Sequence, residues 1–293
     1  MKAPAFDYAK PRSIEAALQL LAEHGDEARV LAGGQTLLAT LNMRLSEPAL
    51  LIDITGIAAL RGIAVADERL RIGALVTHSE IESSPLVATH APLLAQAAPH
   101  IAHRAIRNRG TFGGSIAFAD PAAEWPACLV ALDGVVVVHG SQGERRIAAE
   151  DFFIDLYATA LFQGEVIIAC ELPIRQNGDR SVFTELARRH GDYAVVGLAL
   201  ATRIEAGIVR HARLAFLGIG ATPIRARKTE ADLEGQALDA ALVASAASTL
   251  ERELDPLGDL THAPKTKLHL ATVLARRALT SLLDPAQKAA HHA

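Results

Sequence analysis

The chain has 293 residues, of which 50% are hydrophobic and 21% are charged, and its net charge is −4. This length favours two domains or one elaborated domain. The net charge shows no excess of basic residues that would indicate nucleic-acid binding. One Trp and three Tyr also provide few aromatic side chains for base stacking. Two cysteines, Cys128 and Cys170, are too few to ligate an iron–sulfur cluster. With no apolar signal core at the N-terminus and no apolar run of bilayer length, we expect a cytoplasmic protein without a membrane span.

The first part of the chain predicts a β–turn–α–β unit. Ser13 can cap an opening helix, and Gly25 can end it. The stretch "ARVLAGG" then predicts a short buried strand that runs into a glycine turn. A second helix is predicted to start at Thr36, and a second strand covers 49–55. Anion binding at such a strand-to-helix junction is geometrically natural.

From Ile57 onward the pattern changes to alternation with turns, which predicts an antiparallel meander. A helix is predicted over 91–103, followed by a second Gly-Gly turn. Another helix is predicted from Pro121, with Asp120 as its N-cap. The remaining predicted strands of this part are "VVVVHG", "ERRIAA" and "GEVIIACELPI".

A polar, Gly-containing stretch at 175–181 predicts a linker. Three antiparallel strands follow, within "SVFTELARR", "VVGLALATRIEAG" and "IVRHARLAFLGIG". Two long amphipathic helices complete the chain, within "ALDAALVASAASTLERELD" and "PKTKLHLATVLARRALTSLL". A three-stranded sheet with helices on one face predicts a compact α+β domain from about residue 178.

Two glycine segments are the candidate ligand-binding motifs. The first glycine segment consists of Ala32, Gly33, Gly34, Gln35 and Thr36. The second glycine segment consists of Thr111, Phe112, Gly113, Gly114 and Ser115. Either one alone is more often a tight turn with nothing bound. Two of them together favour a ligand held from both sides, and successive backbone amides in such turns form an anion-binding nest.

The other motifs give weaker evidence of function. No phosphate-binding P-loop pattern is present, and "GIGATP" at 218–223 is interpreted as a strand end and turn. His100 and His103 have helical spacing but lack a third ligand in a recognisable pattern, so we predict no metal site. No Ser–His–Asp arrangement can be argued from residue order, and we assign no catalytic residue.

The two glycine segments and the text around them resemble the FAD-binding medium subunits of the molybdenum hydroxylases, the family of carbon monoxide dehydrogenase and the xanthine dehydrogenases. The resemblance covers nearly the whole chain and keeps the order of the blocks. The matching blocks are "YAKPRSIEAALQLL", "AGGQTLL", "LIDITGIAALRGI", "LRIGALVTHSEIESSP", "IAHRAIRNRGTFGGSIAFADPAAEWPA" and "FLGIGATPIRARKTE".

The resemblance implies that both glycine segments hold the FAD pyrophosphate. It also implies that Glu124 accepts from a ribose or ribityl hydroxyl and that Tyr193 packs against the flavin ring. This sequence departs from the family at Gln35 and Ser115, where His and Asn are frequent. The role of His78, in the block "LVTHSE", is left open.

Three charged side chains near these segments keep alternative roles. Arg107 and Arg109 either serve the anion or form surface salt bridges. Asp192 either orients a neighbouring arginine or accepts from the cofactor.

The resemblance implies an α+β architecture. A two-lobed, PCMH-type FAD-binding domain would span 1–175, with lobes 1–57 and 58–175. A C-terminal domain like that of the CO dehydrogenase flavoprotein would span 178–285.

As a function it implies an electron-transfer subunit that takes electrons from iron–sulfur clusters and passes them to an external acceptor. The partners would be an iron–sulfur small subunit and a molybdopterin-binding large subunit, in a dimer of heterotrimers. Two alternatives are a stand-alone FAD-dependent oxidase of the vanillyl-alcohol-oxidase type, whose chains are much longer, and a flavin-free scaffold subunit, which does not require paired glycine segments. The hydroxylated substrate and the final acceptor are not encoded in this chain.

Overall fold

The computed structural model describes residues 2–283 of the chain. The predicted C-terminal boundary at residue 285 lies outside these residues. Among residues 2–283, every helix falls short of the length and apolar character that crossing a bilayer requires.

The first lobe is a small parallel sheet. Its elements are β1 (Asp7–Ala9), α1 (Ile14–His24), β2 (Ala28–Leu31), α2 (Leu37–Asn42) and β3 (Leu50–Asp53). The strand order is β1-β3-β2, all parallel, so that β3 is central and fully buried while β2 stays at the edge. Ser13 caps α1 as predicted, since its Oγ accepts from the Ala16 amide at 3.2 Å. The edge position of β2 leaves most of its residues only partly buried, contrary to the predicted buried strand.

The second lobe is an antiparallel sheet with helices on one face. Its strands are β4 (Ile63–Ala66), β5 (Arg69–Gly73), β6 (Val135–Gly140), β7 (Gly143–Ala148), β8 (Phe153–Asp155), β9 (Ala158–Thr159) and β10 (Val166–Pro173). Its helices are α3 (His78–Ser83), α4 (Pro85–His90), α5 (Pro92–Ala97), α6 (Arg104–Arg107), α7 (Phe112–Phe118), α8 (Glu124–Ala131) and α9 (Ala149–Phe152).

The five-stranded sheet has the order β4-β5-β10-β6-β7. The stretch "RGIAVADERLRIGALV", on which the antiparallel meander was predicted, forms the antiparallel β4–β5 hairpin. The last strand of the lobe, β10, inserts between β5 and β6. One face of this sheet packs against the core of the first lobe. The other face packs on the helices around Trp125, Phe112 and Phe152, which are all fully buried.

Two predicted helix boundaries are wrong. The helix predicted over 91–103 ends at Ala97 and continues only as one 3₁₀ turn to His100. The helix predicted from Pro121 begins at Glu124 instead. Asp120 is not its N-cap, because the carboxylate accepts from the Ala122 amide at 2.9 Å and closes a separate turn before the helix.

The C-terminal domain is a sheet covered by helices. Its elements are β11 (Asp179–Ala187), β12 (Ala194–Glu205), β13 (Ile208–Leu217), β14 (Ile224–Arg225), α10 (Arg227–Leu233), α11 (Ala240–Glu253) and α12 (Pro264–Ser281). The three predicted strands are present, and the two-residue β14 adds a fourth that is too short to leave a periodic signal. Helices α10 to α12 share a core with one sheet face, and α5 and α8 of the second lobe pack on the other.

Candidate functional site

A groove of about 740 Å³ lies where the first lobe, the second lobe and the start of the C-terminal domain meet. It brings together eleven of the twelve predicted site residues. These are Ala32, Gly33, Gly34, Gln35, Thr36, Thr111, Gly113, Gly114, Ser115, Glu124 and Tyr193. Phe112 is not on the wall, because its ring is fully buried and packs edge-on against Trp125, with the ring centroids 5.3 Å apart.

The first glycine segment is an open loop with unused donors. Gly34 has a φ of +73°, a conformation that favours glycine. The backbone amides of Gly34, Gln35 and Thr36 donate to no residue within the described part of the chain. The Gln35 side chain folds back, and its Nε2 donates to the Gly33 carbonyl at 2.9 Å. Three successive residues on the groove wall therefore carry free amides, which is the donor pattern of an anion nest.

The second glycine segment is not a tight turn between two elements; it forms the N-cap and the first helical turn of α7. Thr111 is the N-cap, and its Oγ1 accepts from the Gly114 amide at 3.2 Å. The Phe112 amide donates to the Val76 carbonyl at 2.8 Å, and the Gly113 amide donates to the Ala74 carbonyl at 2.9 Å. Because the amides of Phe112 to Ser115 are already used, this segment forms no second nest. It offers the hydroxyl groups of Thr111 and Ser115 instead.

The two segments lie against each other, and glycine makes this possible. A Cβ on Gly33 would stand 2.1 Å from the Arg109 carbonyl oxygen. A Cβ on Gly114 would stand 2.7 Å from Thr111 Oγ1 and 4.0 Å from the Ala32 Cβ. The Gly114 α-carbon thus faces the first segment across a narrow gap that any side chain would fill.

The two nearby arginines have different roles. Arg107 is 8% exposed; its Nε donates to Glu82 Oε2 at 3.0 Å, and its Nη1 donates to the carbonyls of Ile101 and Ala102, each at 3.1 Å. This guanidinium holds a loop together and is not available to an anion. The Arg109 side chain is exposed and forms no ion pair with residues 2–283.

Glu124 is a buried acid on the groove wall. Burial, together with the nearby Glu185 carboxylate, raises the pKa of its carboxyl to about 8. At neutral pH the Glu124 carboxyl is therefore mostly protonated, and it can both donate and accept a hydrogen bond. Burial also raises the pKa of Asp120, although the Ala122 amide and the Tyr157 hydroxyl oppose that shift.

The Glu124→Gln variant should make stability less dependent on pH in the cofactor-free protein. The pKa of the Glu124 carboxyl rises from 4.5 in the unfolded chain to about 8 in the folded protein. Its contribution to the free energy of unfolding is therefore most favourable below pH 4.5 and is lost as the pH rises towards 8. The variant should gain thermal stability relative to the wild type between pH 5 and pH 8, by roughly 3 °C or more. Thermal melts at both pH values measure this. The exposed Glu144→Gln is the control, and an equal difference at both pH values would contradict the assignment.

Tyr193 stands at the rim of the groove, 65% exposed, immediately before β12. Its amide donates to its neighbour Asp192 at 3.1 Å, and the Asp192 carboxylate lies 3.9 Å from Arg188 Nε. Asp192 thus orients this short segment and pairs with Arg188, one of the two alternatives left open by the sequence.

The groove also contains residues to which the sequence analysis gave no role. His78 lies on the wall, and the apolar side chains of Ile101 and Leu161 lie on it as well. His78 is the first residue of α3, whereas Ile101 and Leu161 lie in loops. His78 and Ile101 are in family blocks, but no pattern in the sequence assigned a role to either, and Leu161 is in no motif. Among residues 2–283, no three His, Cys, Asp or Glu side chains lie close enough together to hold a metal ion.

Two family models match the chain. The model described as the FAD binding domain in molybdopterin dehydrogenase covers residues 4–175, and the CO dehydrogenase flavoprotein C-terminal domain covers residues 181–282.

The chain is also similar to individual proteins. It is 39% identical to the 6-hydroxypseudooxynicotine dehydrogenase complex subunit alpha of Paenarthrobacter nicotinovorans, over 98% of this chain and 97% of that protein. It is 35% identical to the carbon monoxide dehydrogenase medium chain of Hydrogenophaga pseudoflava, over 95% and 97%. A solved carbon monoxide dehydrogenase structure from that organism superposes with a TM-score of 0.92 at 37% identity, covering 95% of this chain and 97% of that one.

The groove fits the cofactor that the family models name. Its first glycine segment has free amides that could bind a phosphate, its second has hydroxyl groups, and a Cβ at Gly114 would clash with Thr111 Oγ1. A volume of about 740 Å³ is within the range of sites for extended cofactors. FAD is therefore the cofactor of this chain, which belongs to the FAD-binding medium subunits of the molybdenum hydroxylases and is an oxidoreductase subunit.

Proposed function

We propose that this chain is the electron-transfer subunit of a molybdenum hydroxylase complex, which takes electrons from iron–sulfur clusters and passes them to an external acceptor. The observation that carries the proposal is the groove itself, whose wall contains both the free amides of the first glycine segment and the hydroxyl residues of the second. FAD, when bound, supplies the two-electron chemistry, and the protein positions it. The related chains are named as subunits of dehydrogenase complexes, which supports a partner-dependent role.

Partners are needed because this chain offers no ligands for a cluster. Cys128 and Cys170 are both fully buried, and burial raises the pKa of both thiols. Neither is available as a thiolate ligand. The proposed partners are an iron–sulfur small subunit and a molybdopterin-binding large subunit, arranged as a dimer of heterotrimers.

The groove residues would contribute to FAD binding in three ways, by hydrogen bonding to it, by allowing its close approach and by packing against it. The amides of Gly34, Gln35 and Thr36 and the hydroxyls of Thr111 and Ser115 would bind the pyrophosphate. Ala32, Gly33, Gly113 and Gly114 would allow the close approach, and Phe112 would support the second segment from the core. Glu124, protonated at neutral pH, would bond a ribose or ribityl hydroxyl, and Tyr193 would cover one face of the flavin.

We also propose a domain division between residues 175 and 178. The Gln176 amide donates to the Asp179 carboxylate at 2.7 Å, which closes a turn between β10 and β11. Residues 1–175 would form the FAD-binding domain, with lobes 1–57 and 58–175, and the second domain would begin at 178. Limited proteolysis tests this, since a first cut within 175–178 is expected and a first cut elsewhere would move the boundary.

The Tyr193→Ala variant should bind FAD about 3- to 10-fold more weakly, because an aromatic contact of this kind contributes about 0.5–1.5 kcal/mol. Tyr193→Phe keeps the ring and should bind within about twofold of the wild type. Titration of the quenching of flavin fluorescence gives both dissociation constants. Equal affinities for the alanine and phenylalanine variants would remove Tyr193 from the flavin site.

Electron transfer is tested in the assembled complex. The complex is mixed with its hydroxylatable substrate under anaerobic conditions, and flavin absorbance is followed by stopped flow. We expect flavin bleaching to follow bleaching of the iron–sulfur bands and to reverse when an acceptor is added. Flavin that stays oxidised while the clusters are fully reduced would contradict the proposed path.

A further inference from the structure

We propose that His78 binds the pyrophosphate of FAD by donating a hydrogen bond from its ring Nε2–H, an assignment that rests on the proposed FAD site. His78 is the first residue of α3, whose N-cap, Thr77, forms a capping box with Glu80. The His78 amide donates to the Gly110 carbonyl at 3.0 Å, which fixes the start of α3 beside the second glycine segment. The side chain is 6% exposed and forms part of the groove wall.

Trp125 sets the proton position on this ring. The indole Nε1–H of Trp125 donates to His78 Nδ1 at 2.9 Å, and both side chains are buried. An indole nitrogen can only donate, so Nδ1 must be the acceptor. In the neutral imidazole the proton is then on Nε2, and the second nitrogen is a donor.

The ring stays neutral at physiological pH. Burial, together with the nearby Arg107 guanidinium, lowers the pKa of His78 to about 4. A fixed tautomer and a neutral ring leave a single N–H, at Nε2. This N–H does not depend on pH across the range in which the protein would work.

The Nε2–H has no acceptor within the protein and lies beside the second glycine segment. No residue among 2–283 accepts a hydrogen bond from it. A Cβ on Gly110 would stand 2.6 Å from Nε2, so the ring nitrogen lies directly against Gly110, which is itself on the groove wall and precedes Thr111. Nε2 is not among the fully enclosed side-chain atoms that lack a partner, so it is open to the groove that His78 lines. A ligand in the groove can supply the acceptor that the described part of the chain does not.

A phosphate oxygen is the acceptor that this location favours. Four of the five amides of the second glycine segment, those of Phe112 to Ser115, are used within the protein, and Arg107 is committed to Glu82 and to backbone carbonyls. His78 therefore adds a neutral donor on the side of the groove where backbone donors are lacking. Together with the Thr111 and Ser115 hydroxyls, it would provide hydrogen-bond donors in addition to the free amides of the first glycine segment.

The affinity test uses two substitutions and a control. His78→Leu removes the donor and should weaken FAD binding about 10- to 100-fold, the usual effect of losing a hydrogen bond to a charged group. His78→Gln returns an N–H near the Nε2 position and should stay within about threefold of the wild type. His90→Leu, a half-buried histidine outside the groove, should change nothing. Equal FAD affinity of His78→Leu and the wild type would overturn the proposal.

Fragments of the cofactor locate the contact. The His78→Leu penalty should be retained for ADP, which carries a diphosphate, and be absent for adenosine and riboflavin. A penalty that appears with adenosine or riboflavin would place His78 elsewhere on the cofactor and would overturn the pyrophosphate assignment. A wild-type chain that binds neither FAD nor ADP would overturn the proposed FAD site itself, which separates the two failures.

Nitrogen-15 NMR of the wild-type full chain gives a test that does not require a variant to fold. We expect one histidine with a protonated Nε2 and an unprotonated Nδ1 between pH 5.5 and 8, whose Nε2–H resonance shifts when ADP or FAD is added. Loss of this signal pattern in Trp125→Phe would assign it. A His78 ring that is doubly protonated at pH 7, carries its proton on Nδ1, or does not respond to ADP would overturn the proposal.

Discussion

Gly114→Val is expected to weaken FAD binding by more than about 100-fold while the fold is retained. The new Cβ would meet Thr111 Oγ1 at 2.7 Å, and the two methyl groups would occupy the gap towards the Ala32 Cβ, which is 4.0 Å away. Overlap of this kind typically costs about 1–3 kcal/mol before any contact with the ligand is lost, and lost phosphate contacts add to it. Isothermal titration with FAD measures the change.

A control variant separates the effect of valine in the groove from its effect on helix stability. Valine in any helix lowers helix propensity, so Ala244→Val, at an exposed position of α11, is the matched change outside the groove. Because Thr111 also caps α7, the Gly114→Val variant is expected to melt a few degrees lower than the wild type but cooperatively. Retention of stoichiometric FAD by a folded Gly114→Val protein would count against the assignment of the two glycine segments.

Arg107→Met should destabilise the protein by about 3–5 kcal/mol, the largest stability effect that we expect from a single groove-region change. The guanidinium is buried and satisfies three loop carbonyls, those of Pro99, Ile101 and Ala102, as well as Glu82. Methionine fills similar space but leaves those acceptors and the Glu82 carboxylate without a partner. Denaturant unfolding measures the free energy.

Arg109→Met is the matched control for this change. Its side chain is exposed and forms no ion pair within the described part of the chain, so its free energy of unfolding should remain within about 0.5 kcal/mol of the wild type. An Arg107→Met variant that is as stable as Arg109→Met would contradict the structural role given to Arg107.

Local patterns predicted much of the fold. The Ser13 cap, the three long strands of the C-terminal domain and the two long helices follow from short-range periodicity and capping, and the structure has them. The insertion of β10 between β5 and β6 could not be predicted in this way. It pairs Cys170 with Ile72, almost a hundred residues earlier, and no local pattern records which distant strand is the neighbour.

In the site, as in the fold, features of neighbouring residues were predicted, and contacts between residues far apart in the sequence were not. Glycine and hydroxyl residues marked both segments, and the family resemblance gave them a cofactor. The sequence did not reveal that the Gly113 amide is already bonded to Ala74, because this pairing joins residues about forty positions apart. The Trp125–His78 hydrogen bond spans 47 positions and was missed for the same reason. Such contacts are properties of the packed core, in which distant side chains meet.

The central claim is that this chain holds FAD through the paired glycine segments, and a visible absorption spectrum tests it most directly. The full-length chain is incubated with FAD, alone and with its partner subunits, and free cofactor is removed. We predict flavin bands that stay with the protein at about one FAD per chain and bleach on reduction, and that are absent from Gly114→Val. A folded chain that remains colourless with and without its partners would contradict the account and favour a flavin-free scaffold.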